Sequence, residues 1–315
     1  MTGRMRAARC IAIALLSACS AGPAAGPVLS PVEKLNAEGL RRFERGESEG
    51  AQELYRSALR EAEAVDDRPG QAESWNNLGA LAFARGELED AFMMHLAALR
   101  LYERCAPRLP GEVRARSNLG MVLLSMGSSG PARAQFDAAA KLADHLAQGH
   151  LGLLARAGLA AVDAKEGNAA VARDAAARVV GQARAAGEKD AQAAALVVLG
   201  EALHALGDQP QALARLEEAL AIDRERRVPF SIAEDLRALA RVTAAIGRAA
   251  DAADYLLRCA RISRALGQLE LAEQELVRAA QWVSQGKDAD RLIVLQELEA
   301  VRRVRAQQPS GASRR

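Results

Sequence analysis

Seven glycines recur along this chain at an almost constant step: Gly46, Gly86, Gly127, Gly167, Gly207, Gly247 and Gly286, separated by 40, 41, 40, 40, 40 and 39 residues. A fixed period of about 20–50 residues is the signature of a solenoid, in which each unit buries its apolar face only against its neighbours. Such a chain has no single closed core in which to hide a catalytic centre. Its function is to be sought on a surface.

The glycines stand in one repeated context. Five residues after them come Ala51, Ala91, Ala132, Ala172, Ala212 and Ala252, and seven residues before them Gly39, Gly79, Gly120, Ala160, Gly200, Ala240 and Ala279. Small residues let two helices approach closely, and the recurring glycine permits the positive φ that stops one helix and reverses the chain. The fourth residue past the alanine is bulky in most units (Tyr55, His95, Phe136, Leu216, Leu256), and the seventh is small or β-branched (Ala58, Ala98, Ala139, Val179, Ala219, Cys259). Residues three, four and seven apart share a helix face. The unit is therefore expected to be a hairpin of two amphipathic helices.

Trp75-Asn76-Asn77-Leu78-Gly79 followed by Gly86, Ala91 and Ala98, and Ser117-Asn118-Leu119-Gly120 followed by Gly127, Ala132, Phe136 and Ala139, resemble the tetratricopeptide repeat (TPR), whose signature is W-x2-L-G-x2-Y, A-x3-F, then A and P. The resemblance covers residues 32–306 and implies an all-α, right-handed TPR-like superhelix of seven hairpins, with units at 32–70, 71–110, 111–148, 149–188, 189–228, 229–267 and 268–306. Two features depart from the family. The period is 40 rather than ~34, and no proline closes the units. Longer second helices, as over 52–64 and 211–224, are the simplest accommodation. The seventh unit, where Arg291 replaces the small residue, is expected to cap the stack.

The first thirty residues differ in kind. Arg4, Arg6 and Arg9 precede an apolar stretch from Cys10 to Leu16, the layout of a secretory signal and too short for a permanent span. Leu16-Ser17-Ala18-Cys19 resembles a bacterial lipobox, which implies cleavage after residue 18 and lipidation of Cys19. Ser20, rather than aspartate, implies an outer-membrane destination facing the periplasm. Ordinary cleavage, giving a soluble periplasmic protein, is the alternative. Residues 19–31 carry Gly22, Pro23, Gly26, Pro27 and Pro31 without periodicity and are expected to form a flexible tether. Residues 307–315 are expected to be a disordered tail.

Removing Arg4, Arg6 and Arg9 from the 42 basic residues leaves 39 against 40 acidic ones. A near-neutral chain lacks the basic stripe that phosphate binding needs, so no nucleic-acid partner is expected. Cys105 and Cys259 lie four repeats apart, beyond the reach of a disulfide, and are expected to be small buried residues. No metal or cofactor is expected either. Asp144, His145 and His150 are clustered, but two histidines five residues apart cannot chelate from one helix face. No nucleophile elbow, P-loop or dinucleotide fingerprint is present, so the chain is expected not to be an enzyme.

What remains is protein recognition. In the TPR family the first helix of each unit lines a concave groove, and its fifth, sixth, ninth and twelfth positions touch a bound segment. The resemblance therefore implies Asn76, Asn77, Ala80 and Phe83 in the second unit, and Ser117, Asn118, Met121 and Leu124 in the third. The amides of Asn77 and Asn118 either hold an extended backbone or bond within the solenoid, since an amide donates and accepts. Arg114 alone fits the family's carboxylate clamp, so binding of a free C-terminal tail is not expected. Glu201, His204, Arg237 and Arg241 fall on the same groove line and are candidates for a polar patch. The expected function is a non-catalytic scaffold for envelope proteins, serving pilus, secretion or cell-wall machinery. An intracellular TPR regulator is the alternative, and the oligomeric state is left open.

Overall fold

A computed structural model describes residues 29–105, 108–283 and 288–307. Leu16-Ser17-Ala18-Cys19, Gly286 and residues 308–315 lie outside them. The described residues form fourteen helices and no strand. In pairs, one pair per unit, these are α1 (Pro31–Glu44) and α2 (Ser48–Ala64); α3 (Arg68–Arg85) and α4 (Leu88–Tyr102); α5 (Pro110–Ser125) and α6 (Ser129–His145); α7 (Gly149–Lys165) and α8 (Ala169–Ala186); α9 (Lys189–Ala205) and α10 (Gln209–Arg226); α11 (Pro229–Ala245) and α12 (Ala249–Ala265); α13 (Leu269–Val283) and α14 (Asp288–Gln307).

Local chemistry sets these boundaries. Ser30 opens α1 with a capping box, its hydroxyl accepting from Glu33 N while the Glu33 carboxylate accepts from Ser30 N, which satisfies two donors that a helix start leaves free. Within each of the first six hairpins the glycine takes a positive φ, as at Gly86 (84°). Gly86 N donates to Phe83 O and Glu87 N to Ala82 O, the bonds of a Schellman stop. Between hairpins the left-handed position is filled by Asp66, Ala147 or Arg227 as well as by Gly187 and Gly267. A glycine period alone therefore marks only one of the two turns per repeat.

The small-then-bulky pattern has a direct spatial meaning. Ala51, Ala91, Ala132, Ala172, Ala212 and Ala252 are all fully buried. A Cβ added at Gly39 would lie 2.5 Å from the Tyr55 ring, and one at Gly79 would lie 2.9 Å from the His95 ring. Tyr55, His95, Phe136 and Leu216 thus each sit in a notch left by the small residue of the first helix, Gly39, Gly79, Gly120 and Gly200.

Two expectations need correction. The first helices of the inner units are not amphipathic: α3, α5, α7 and α9 are buried on nearly all faces, because each packs against its own partner and against the first helices of adjoining units. Helices apolar all round belong inside. One buried cluster runs through them from Ala82 to Cys259. The extra length of the 40-residue period is also not confined to the second helices. α7, α9 and α11 are 17 residues long, and so are α2, α6 and α12.

Candidate interaction site at the repeat seam

The amides expected to face a ligand are turned into the solenoid. Asn77 Nδ2 donates to Asn36 Oδ1 (3.2 Å), and Asn36 Nδ2 donates to Ser74 Oγ (3.1 Å), joining α1 to α3. Asn118 Nδ2 donates to Asn76 Oδ1 (3.1 Å), joining α5 to α3. His95 Nδ1 lies 3.0 Å from the same Asn76 oxygen. That oxygen only accepts, so the proton of His95 is on Nδ1. Burial pushes the imidazole down to about 3, and the ring is neutral. The result is a ladder of neutral hydrogen bonds through the first three units. Ser117, Phe83, Met121, Ala80 and Leu124 are buried beside it.

The second patch divides. Arg237 is only 3% exposed; its guanidinium donates to Glu234, to Glu275 and to Ser263 Oγ (3.1 Å). Burial works against that charge, but the two carboxylates outweigh it and hold the guanidinium protonated. The thiol of Cys259, which donates to Glu275 Oε1 (3.0 Å), is pushed up by burial. Arg241 and Glu201, half-buried, are bonded across adjacent first helices. His204 turns instead to Gln209 (2.6 Å), and Arg114 lies 3.7 Å from Glu73. Glu201 and Arg241 are thus brought together, Arg237 is internal, and His204 and Arg114 stand apart from them. Cys105 is half-exposed rather than buried, and both it and Cys259 are free thiols.

Sequence reasoning missed the contact between distant repeats. Phe43, at the end of α1, stacks on Phe230, at the start of α11, with ring centroids 4.7 Å apart and planes 12° apart. Val228, Phe230 and Leu266 join Leu40, Phe43, Tyr55, Leu78 and Leu81 in one buried cluster. Gln268 Nε2 donates to Ala84 O (2.6 Å), a carbonyl in the last turn of α3 that has no partner within its helix. Gly46 serves twice: its φ is +83°, and a Cβ there would lie 2.6 Å from Leu266 Cδ2. Phe230 and Leu266 are unremarkable apolar residues in sequence. Their meeting with the first unit depends on the rotation accumulated over several repeats, which no local pattern reports.

Along this seam opens a cleft of about 1000 Å³, walled by the α1–α2 turn on one side and by the α12–α13 turn and α13 on the other. It presents Arg42, Arg85 and Arg305, Glu49, Glu87 and Glu270, and the amides of Gln52, Gln268 and Gln274. Arg85 is steadied by Gln52 Oε1 (2.9 Å). Mixed charges and side-chain amides suit a polypeptide, whose backbone both donates and accepts. A cleft with both signs of charge gives a polyanion no field to follow. Among the described residues no group of three or more His, Cys, Asp or Glu side chains is placed to hold a metal ion, and no helix is long and apolar enough to cross a membrane.

Known proteins share this architecture. The Rap conjugation gene regulator of the plasmid pLS20, solved in complex with the Phr* peptide, superimposes with a TM-score of 0.64 at 11% identity, over 90% of this chain and 77% of that one. NprR in complex with its cognate peptide NprX gives 0.63 at 14% identity, over 92% and 85%. Aspartyl phosphate phosphatase F from Bacillus subtilis gives 0.58 at 12% identity, over 90% and 72%. At such identities the likeness is one of fold. A search of curated proteins finds no match to the sequence. The tetratricopeptide repeat family model matches residues 39–104, 70–145 and 153–225. With more than half of its length matched, the chain belongs to the tetratricopeptide repeat family.

Proposed function

We propose that this chain is a non-catalytic scaffold that holds a polypeptide segment of a partner protein in the seam cleft. The observation that carries the reading is the cleft itself: about 1000 Å³, walled by both ends of the repeat array and lined by charges of both signs and three amides. A segment seated there touches the first and last repeats together. The half-buried pair Glu201–Arg241 and the half-buried His204 and Arg114 supply further polar groups on the first helices. The buried members of the expected groove, Asn76, Asn77, Phe83, Ser117, Asn118, Met121 and Arg237, shape the array that carries these contacts.

The finer reading places the scaffold in a bacterial envelope. The lipobox Leu16-Ser17-Ala18-Cys19 and the Gly/Pro-rich stretch behind it support lipidation at Cys19 and a tether that lets the solenoid reach periplasmic partners from the outer membrane. Assistance to a pilus, secretion or cell-wall assembly follows from that address. Metabolic labelling with palmitate tests the anchor. Label on the native chain, lost in Cys19→Ala, supports it; an unlabelled chain in the cytosolic fraction would replace it with an intracellular regulator. Cross-linked capture of the native chain beside Arg85→Glu/Gln274→Ala tests the cleft. A partner retained equally by both would move binding to another face.

A further inference from the structure

The turn that delivers Phe230 to the seam is built over buried charge. α10 gives way to α11 around Arg227, which takes a φ of 57°, and Val228 and Phe230 follow directly into the cluster shared with the first unit. Behind that turn three helices each bury an aspartate: Asp190 of α9 (8% exposed), Asp223 of α10 (3%) and Asp235 of α11 (0%). Asp190 Oδ1 accepts from Ala191 N (2.8 Å), and Asp223 Oδ1 accepts from Arg226 Nη1 (2.7 Å). Both oxygens of Asp235 are buried without a hydrogen-bond partner; Arg226 and Arg224 of α10 act on it only through space. Toward α12 and α13, Glu234 is matched by Arg237, which also holds Glu275 beside Cys259.

A buried carboxyl with no donor or cation against it keeps its proton, because the ionised form is costly in a dry space. Burial, and then Asp223 and Glu234, raises Asp235 well above its ordinary range, and burial lifts Asp223 up to about 6 against the pull of Arg226. The cluster also reaches across the seam. Glu44, the neighbour of Phe43 at the end of α1, is raised by burial and pulled back by Arg226 and Arg41. Arg226 therefore stands between a carboxylate of the first unit and one of the fifth, and ionised Asp223 competes with Glu44 for it.

We propose that the seam is an acid-closed latch: while protonated, the buried aspartates behind the α10–α11 turn keep Phe230 against Phe43, and their ionisation releases the first unit and widens the cleft. Ionised Asp223 and Asp235 place like charges between α10 and α11, and the water needed to solvate them enters by lifting the first turn of α11, on which the stack rests. Carboxyls that hold protons more tightly in the shut seam than in contact with water favour closure in acid, and that advantage is lost as pH rises through about 6. The device works whatever occupies the cleft. Pulsed electron spin resonance on the full-length chain tests it, with labels carried on p-acetylphenylalanine at Glu53 of α2 and Gln274 of α13, both exposed. The distance between labels should lengthen from about pH 5 to about pH 8.5, with a midpoint at pH 6 or above and the helical circular dichroism unchanged. Asp223→Asn/Asp235→Asn, neutral at every pH, should keep the short distance throughout, and Phe230→Ala should show the long one throughout. A distance independent of pH in the chain with native aspartates overturns the proposal, as does a lengthening that survives in the double variant. So does a Phe230→Ala chain that behaves like the native one, or a lengthening accompanied by loss of helix, which would report unfolding rather than release.

Discussion

The first three units and the last three fill the space between their first helices with opposite chemistry, and the difference shows what each end of the array is built to resist. The buried groups hydrogen-bonded across α1, α3 and α5 are neutral: Asn36, Ser74, Asn76, Asn77 and Asn118, with His95 of α4. Around α9, α11 and α13 ionisable groups are buried: Glu234, Asp235, Arg237 and Glu275 on the first helices and Asp223 on α10. A neutral hydrogen bond contributes about 0.5–1.5 kcal/mol net and costs about 1–3 when one partner is removed. A buried ion pair adds little over an apolar replacement, yet breaking it by removing one partner costs about 3–5 kcal/mol.

The two interiors also respond to acid with opposite sign. His95 is neutral in the fold, held down to about 3 by burial from an ordinary value of 6.5. The unfolded chain therefore takes the proton first. Stability from this site is complete above pH 6.5 and falls as pH drops toward 3. Asp223 is pushed up to about 6 by burial, against the pull of Arg226. Asp235, whose carboxylate oxygens have no hydrogen-bond partner, is raised well above its ordinary range by burial and then by Asp223 and Glu234. Here the folded chain holds its protons longer. Stability from this cluster is greatest below pH 3.8 and declines as pH rises through 6.

Removing charge balance should have the largest effect. Arg237→Ala leaves Glu234 and Glu275 buried without their cation and should destabilise by about 3–5 kcal/mol in a urea titration; Asn76→Ala should lose only about 1–3 kcal/mol. Equal losses would erase the distinction between the two interiors. Next in size is the histidine. Acidification from pH 7.5 to 5 should cost the native chain about 2 kcal/mol at this site, and His95→Phe, the residue type of the third unit, should remove that slope. Asp235→Asn should raise the melting temperature at pH 7.5, with the gain vanishing near pH 4. A gain that instead grew in acid would contradict the buried, protonated Asp235. The smallest effect lies outside both interiors. Ala147, at a φ of 54°, stands where glycine is at ease, so Ala147→Gly should stabilise by about 0.5–1 kcal/mol.

How far the sequence reveals this molecule depends on the range of the interactions. Gly86, Ala91 and the notch between Gly79 and His95 were legible, because a helical hairpin is a local object and its close contacts repeat. The sides on which Asn76, Asn77 and Asn118 lie were not. α3 and α5 are buried on nearly all faces, and periodicity cannot orient a helix that has no wet face. Among the candidate residues, Arg237 looked like its neighbour Arg241, yet Glu275, a full repeat away, makes it internal. The Phe43–Phe230 stack and the cleft beside it were hidden for the same reason. They arise from geometry summed over several repeats, not from any one of them.

The cleft is where the account is most exposed to refutation. A photo-activatable cross-linker placed in turn at Gln52 and Gln274, which line the cleft from α2 and from α13, and at Val171, exposed on α8, reads contact with partners directly in living cells. The account predicts one shared adduct from Gln52 and Gln274 and none from Val171. Adducts from Val171 alone would contradict it, and would place the working surface on the outside of the solenoid.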